Sequence, residues 1–270
     1  MSDPLLRDYE RKRGRAVHHL HVLRKAVEGF TNVDRQPVPG EFDADASQYL
    51  FDVPLERIDR DWALLVGDYI YNARASIDYL ITALIRSTGE EEHHKSQFPI
   101  YVAGRKPNAS WLEVEQRWDK DTRTRIKGNL DGTPSGTEAA LKPLQPFDGV
   151  PYTTNPVGHP LFVLNTLSNR DKHRGLNLLL NRASINFVDE RGQPIFDGPA
   201  PDVRISEPDE GDTYAVRLTV REKRDVDVYL LPVYDIRLHE SPVFGEVVET
   251  LAGIDQFIDR GVLPVVRSLL

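Results

Sequence analysis

Chemistry in this chain would start from one carboxylate. Asp171 sits in the run His159-Pro-Leu-Phe-Val-Leu-Asn-Thr-Leu-Ser-Asn-Arg-Asp-Lys-His-Arg174, which continues to Arg182. Helical spacing puts Leu164, Leu167 and Leu178 on one face with Asp171 in its middle. A carboxylate on a leucine stripe is costly unless a cation or hydrogen-bond donor meets it. Its sequence neighbours are Lys172 and Arg174, which suit phosphate, and His173, whose imidazole moves a proton near neutral pH.

A second group lies on a long helix expected over about 55–87. Between Trp62 and Ile85 the only charged residues are Asp68, Arg74 and Asp78. Opposite the apolar stripe of Trp62, Val66, Ile70, Ala73, Ile77, Leu80, Ile81 and Leu84 come Asp68, Asn72, Ala75, Ser76 and Tyr79. Short polar groups there read as a helix packed on both sides. Arg74 and Asp78 are one turn apart and can pair. We expect Asp171 to meet Arg74 or Arg174 in a buried Asp/Arg network.

Such a network more often sets helix register than does chemistry. The physical reading is therefore a non-catalytic structural or binding protein. Its alternative is a catalytic cluster of His173, Arg74 and Asp171, with Asp68, Asn72, Asp78, Tyr79, Lys172 and Arg174 holding the ligand. A small-molecule sensor is the third reading.

Other chemistries lack their motifs. With no cysteine there is no disulfide, thiolate nucleophile or Cys-based zinc site. His18, His19 and His21 crowd the first helix, and His93 and His94 fall in a charged segment expected to be solvated. No His-Glu-x-x-His motif and no di-iron pair of Glu-x-x-His motifs on separate helices appears, so we expect no metal and no cofactor. Gly132-Thr-Pro-Ser-Gly136 lacks the Gly-Lys-Ser/Thr of a phosphate loop, and no Gly-x-Ser-x-Gly elbow is present.

The positioning elements follow from periodicity. Leu6, Tyr9, Ala16, Leu20, Leu23, Val27 and Phe30 predict an amphipathic helix over 5–30. Gln48–Val53 reads as a strand and Gln97–Val102 as a brief extended segment. Further helices are expected near 109–128, 136–143 and from His159, with Pro160 in the first turn. The pattern then turns β-like at 183–188, 203–206, 213–220 and 226–238, with Glu190-Arg191-Gly192-Gln193 as a hairpin turn. A last helix over 244–269 is expected to kink at Gly261 or Pro264. The fold class is α+β: an N-terminal helical bundle, a small antiparallel β-sheet and a returning C-terminal helix. We expect a helical domain over 1–182 and a β-meander plus helix over 183–270, packed as one unit.

The chain has 270 residues, 40% hydrophobic and 28% charged, with net charge −8. Residues 1–182 hold 25 basic and 25 acidic side chains, so the acidic excess lies in 183–270. That balance disfavours tight nucleic-acid binding overall, although Arg7 to Lys25 and Arg117 to Lys127 are locally basic. No apolar run spans a membrane and the first residues lack a signal-peptide core, so a cytoplasmic protein with no membrane partner is expected.

The stretch Gly67-Asp-Tyr-Ile-Tyr-Asn-Ala-Arg-Ala-Ser-Ile-Asp-Tyr-Leu80 resembles a bacterial and phage-borne family with no assigned activity. Its members read Gly-Asp-x-x-His-Asn-x-Arg-Ser-x-Leu-Asp-His-Leu there. Phe98-Pro99-Ile100, Leu144-Gln-Pro-Phe147 and Asp171-Lys-His-Arg174 match its later motifs in order, over about residues 10–180. Arg74 and the position five residues on resemble the Arg-x4–6-His signature of HEPN helical domains. That resemblance implies a metal-independent ribonuclease or a nucleotide-binding protein, with RNA or a nucleotide as partner and a homodimer as assembly. The arginine would stabilise charge at the phosphate while the histidine acts as acid or base. Here Ala75 follows Arg74 and Tyr79 stands in the histidine's place, which implies a weakened or inactive copy.

Overall fold

The computed structural model describes residues 3–33, 36–54, 56–101, 118, 126–146, 158–174, 176, 178–196, 202–205, 213–220, 223, 225–240 and 243–270. For residues 172–174, 180–185, 213–214, 240 and 243–244 the description covers the backbone alone. The protein is α+β and divides into two compact units, neither continuous in sequence. The first comprises Met1–Ala26, Arg60–Leu178 and Leu238–Leu270; the second comprises Val27–Asp59 and Leu179–Arg237.

Helices build the first unit. A 3-10 turn, Pro4–Leu6, is capped by the Asp3 carboxylate and leads into α1 (Arg7–Thr31). Leu6, Tyr9, Ala16, Leu20 and Leu23 are all buried, as the spacing requires. Helix α2 (Asp61–Ser87) buries its whole expected stripe from Trp62 to Leu84. A short helix α3 (Thr137–Leu141) and a 3-10 turn (Lys142–Leu144) follow.

Helix α4 (Pro160–Arg174) packs on α2 through buried Leu161, Leu164 and Leu167. Its N-terminus is capped by His159, whose Nδ1 accepts the Leu161 N–H at 3.2 Å. The chain ends with α5 (Val247–Phe257), a π-helical turn (Ile258–Val262) and α6 (Leu263–Arg267). The irregularity falls where Pro264 has no N–H to donate, beside both positions expected to kink.

Strands build the second unit. Strand β3 (Gln48–Pro54) alternates, with Tyr49, Phe51 and Val53 inward. It pairs antiparallel with β2 (Glu41–Asp43) on one side. On the other it pairs with β6 (Thr213–Thr219), Phe51 opposite Val216 and Tyr49 opposite Leu218. Strand β5 (Val203–Ile205) borders β6. A second sheet runs β1 (Val38–Pro39), β7 (Tyr229–Glu240), β4 (Leu178–Val188), and β8 (Val243–Glu246) pairs with β7. Tyr49, Phe51, Phe187, Val216, Leu218, Val228 and Leu230 form one apolar cluster in this unit. The turn after β4 is made as its sequence requires: the Asp189 carboxylate accepts the N–H groups of Arg191 and Gln193, and Gly192 takes φ +74°.

Two expectations need correction, and a third falls largely outside the described residues. The helix from His159 ends at Arg174, and Leu178 opens a strand instead of continuing the helical leucine stripe. Helix α2 starts at Asp61, and β1, β2 and β8 were too short to be read. The helix expected near 109–128 lies mostly outside the described residues; Lys127–Asn129 form a single helical turn.

Candidate functional site

The groups that meet on α2 are Arg74 and Asp78, and what they meet is backbone. They pair across one turn at 3.1 Å. Arg74 Nη2 also donates to the carbonyl of Phe98 at 2.9 Å. The Phe98 N–H donates to Asp78 Oδ1, again at 2.9 Å. The two side chains therefore hold both polar groups of one peptide residue, as a neighbouring strand would.

Gln145, fully buried after the 3-10 turn, continues the pattern. Its Oε1 accepts the Tyr101 N–H at 2.9 Å, and its Nε2 donates to the Pro99 carbonyl at 3.0 Å. Residues 98–101 thus pair with no strand among the described residues, and three side chains hold the N–H and carbonyl of Phe98, the carbonyl of Pro99 and the N–H of Tyr101. Phe98 itself is fully buried.

Burial lowers the pKa of Arg74, a shift that the nearby Asp78 carboxylate opposes. Its Nη1 is buried without a hydrogen-bond partner among the described residues, as is Oδ1 of Asn72, whose Nδ2 donates to the Asp68 carbonyl. Unsatisfied polar atoms of this kind cost stability.

Asp171 lies elsewhere. Its carboxylate rests on Gly67, two turns before Arg74 on α2: a Cβ built on Gly67 would stand 2.8 Å from Asp171 Oδ1. Seven helical residues, about 10 Å of rise, separate Gly67 from Arg74. Asp171 is half-buried, not enclosed. The expected Asp171–Arg74 pair is therefore absent, because Arg74 is taken by Asp78 and Phe98 and the glycine is what allows the carboxylate close to α2. The side chains of Lys172, His173 and Arg174 lie outside the described residues.

The buried ion-pair network that does exist was missed by sequence reasoning. Arg13 of α1 donates from Nε and Nη2 to the two carboxylate oxygens of Asp259, at 3.0 and 2.9 Å. Its Nη1 and Nη2 reach the Asp255 carboxylate and carbonyl. Burial opposes the charge on Arg13, but the hydrogen bonds and charges of Asp255 and Asp259 more than reverse this and raise its pKa. Burial and the Asp259 charge push the Tyr9 phenol up to about 12. The signal was present: positions 6, 9, 13, 16, 20, 23, 27 and 30 alternate by three and four, and Arg13 fills the one slot left out of the apolar stripe.

Beside the Arg74–Asp78 pair is a cleft of about 300 Å³. Ala75, Asp78, Tyr79 and Thr82 line it from α2, and Glu92, His93 and Ser96 from the segment beyond. His93 is thus not a freely solvated loop residue: its Nδ1 accepts the Lys95 N–H at 3.1 Å and its Nε2 is buried.

The face of α2 expected to be packed is only partly so. Asn72 and Ser76 are buried, Ala75 and Tyr79 are half-buried, and Asp68 is exposed. Of the residues singled out from sequence, Asp78 and Tyr79 share the cleft and Arg74 stands behind it. Asp68 faces solvent near His19, at 3.9 Å. Among the described residues no three His, Asp or Glu side chains are arranged to hold a metal ion, and no helix is long and apolar enough to cross a membrane. Comparison with protein-family models, with curated proteins and with solved structures finds no match to this chain, so its site is read from its own geometry.

Proposed function

We propose that this chain is a non-catalytic binding protein in which Arg74 and Asp78 are structural. The observation that carries the reading is the Phe98 clamp: both ends of the Arg74–Asp78 pair are spent on one backbone residue. A phosphoryl-transfer or RNA-cleaving site needs a cation facing its substrate. Arg74 is mostly covered, its side chain 16% exposed, and no lysine or arginine lines the adjacent cleft among the described residues.

The test is to incubate end-labelled RNA with wild type and Arg74→Met while following thermal unfolding of both. The reading expects intact RNA in every lane and a large loss of stability in Arg74→Met. Cleavage by wild type that vanishes in a stably folded Arg74→Met protein would overturn it. The cleft favours a second reading, a sensor of a small polar molecule. Saturable NMR shifts at Tyr79 and Thr82 on titration with a panel of uncharged metabolites would support it, and their absence would remove it.

A further inference from the structure

The outward face of α1 is a ridge of exposed basic residues. Arg7, Arg11, Arg15, His18, His21 and Lys25 are all exposed. At 100° per residue they fall within about 120° of arc centred opposite the buried stripe of Leu6, Tyr9, Leu20 and Leu23. From Arg7 to Lys25 the ridge runs about 27 Å. Arg7, Arg11, Arg15 and Lys25 make no ion pair with the described residues, although carboxylates are abundant in the chain. Exposed cations without an ion-pair partner leave their charge available to an external anion.

We propose that this ridge binds the phosphate backbone of single-stranded nucleic acid, independently of base sequence. The proposal rests on the binding-protein reading and names its partner. Three observations select this occupant. Arg7, Arg11 and Arg15 recur at four-residue spacing and Lys25 continues their row, so an extended strand can lay phosphates along it. The face carries no Asn or Gln to read base edges. It also lacks the Trp, Phe and Leu that a membrane-surface helix inserts, its one large apolar member being Val22. An exposed aromatic stands beside the ridge: Tyr71 of α2, with Lys12 Nζ 4.8 Å from its ring centroid. Exposed aromatics of this kind stack bases. Of the acidic residues in 183–270, Asp255 and Asp259 meet α1 on its buried side, through Arg13.

The experiment is fluorescence anisotropy of a labelled 20-nucleotide oligouridylate against the full chain from 50 to 200 mM KCl. Four phosphate contacts to a single strand give a slope of about −3 in log K against log salt. The combined variant Arg7→Gln, Arg11→Gln, Arg15→Gln, Lys25→Gln should abolish binding with its thermal midpoint unchanged. The control Arg191→Gln, Arg237→Gln should bind as wild type. The proposal is overturned by no binding at 50 mM KCl, or by equal binding of the ridge variant. It is equally overturned by tighter binding to a duplex of the same length or to anionic lipid vesicles. Gel analysis of the bound oligonucleotide separates the two readings: a retained intact strand keeps both. A shortened strand that still depends on the ridge removes only the non-catalytic reading.

Discussion

Gly67→Ala tests why Asp171 lies where it does. The new Cβ would stand 2.8 Å from Asp171 Oδ1 and 3.3 Å from its Cγ, inside van der Waals contact. Overpacking of this kind costs about 1–3 kcal/mol when the neighbour has nowhere to go. Alanine in place of glycine inside a helix returns about 1 kcal/mol. In wild type the substitution should therefore cost about 0–2 kcal/mol. In an Asp171→Ala background the obstacle is gone, and the same change should stabilise by up to about 1 kcal/mol. Urea unfolding of the four proteins then gives a coupling energy of about 1–3 kcal/mol. Asp171→Ala alone should cost less than about 1 kcal/mol, because Asp171 is half-buried and Arg74 keeps its Asp78 partner without it. A coupling below about 0.5 kcal/mol would show that the glycine and the carboxylate are independent and refute the close-approach account.

Two further outcomes follow from buried charge. Burial lowers the His159 pKa to about 4. The unfolded chain then takes the proton first, near the ordinary value of about 6.5. Stability from this group is complete above that pH, falls as pH drops, and levels off below about 4, a span of about 3 kcal/mol. Unfolding titrations of wild type and His159→Asn from pH 7.5 to 4 should diverge by that amount; parallel curves would contradict it. Arg13→Met strands Asp255 and Asp259, and buried pairs broken on one side cost about 3–5 kcal/mol. Asp259 is 49% exposed and can rehydrate, so the lower end is expected. Arg13→Lys, which lacks the planar fork, should recover less than half of the loss in urea unfolding. A cost below about 1 kcal/mol for Arg13→Met would remove the network from the account.

The α+β class and most elements were legible because their burial follows a local period. The α1 and α2 stripes run at helical spacing, and β3 alternates Tyr49, Phe51, Val53. Leu178-Leu-Leu180 misled because a short apolar run satisfies helix and strand periods alike. Gly175, a stop signal directly after Arg174, was the better guide. The site was half legible. Arg74 and Asp78 stood out as charges on an otherwise uncharged helix, and their mutual pairing follows from spacing alone. Their engagement of Phe98 did not, since a side chain gripping backbone 20 residues away in sequence leaves no period. Gln145 shares that obscurity, as a neutral residue in a turn. Asp171 drew attention for a sound reason, the cost of an apolar-face carboxylate, but the stripe was counted through Leu178. With the helix ending at Arg174, the carboxylate falls near the end of α4 and only half-buried.

Native-state hydrogen exchange at the Phe98 amide tests the clamp most directly. In wild type that N–H donates to Asp78 Oδ1 and should be protected, although no strand flanks it. Asp78→Ala removes the acceptor, a charged hydrogen bond worth about 1.5–3 kcal/mol. The account predicts a fall in Phe98 protection of about 10- to 100-fold beyond any fall shared with the α2 core amides. A Phe98 amide that exchanges at the unprotected rate in wild type, or keeps its protection in Asp78→Ala, would contradict it.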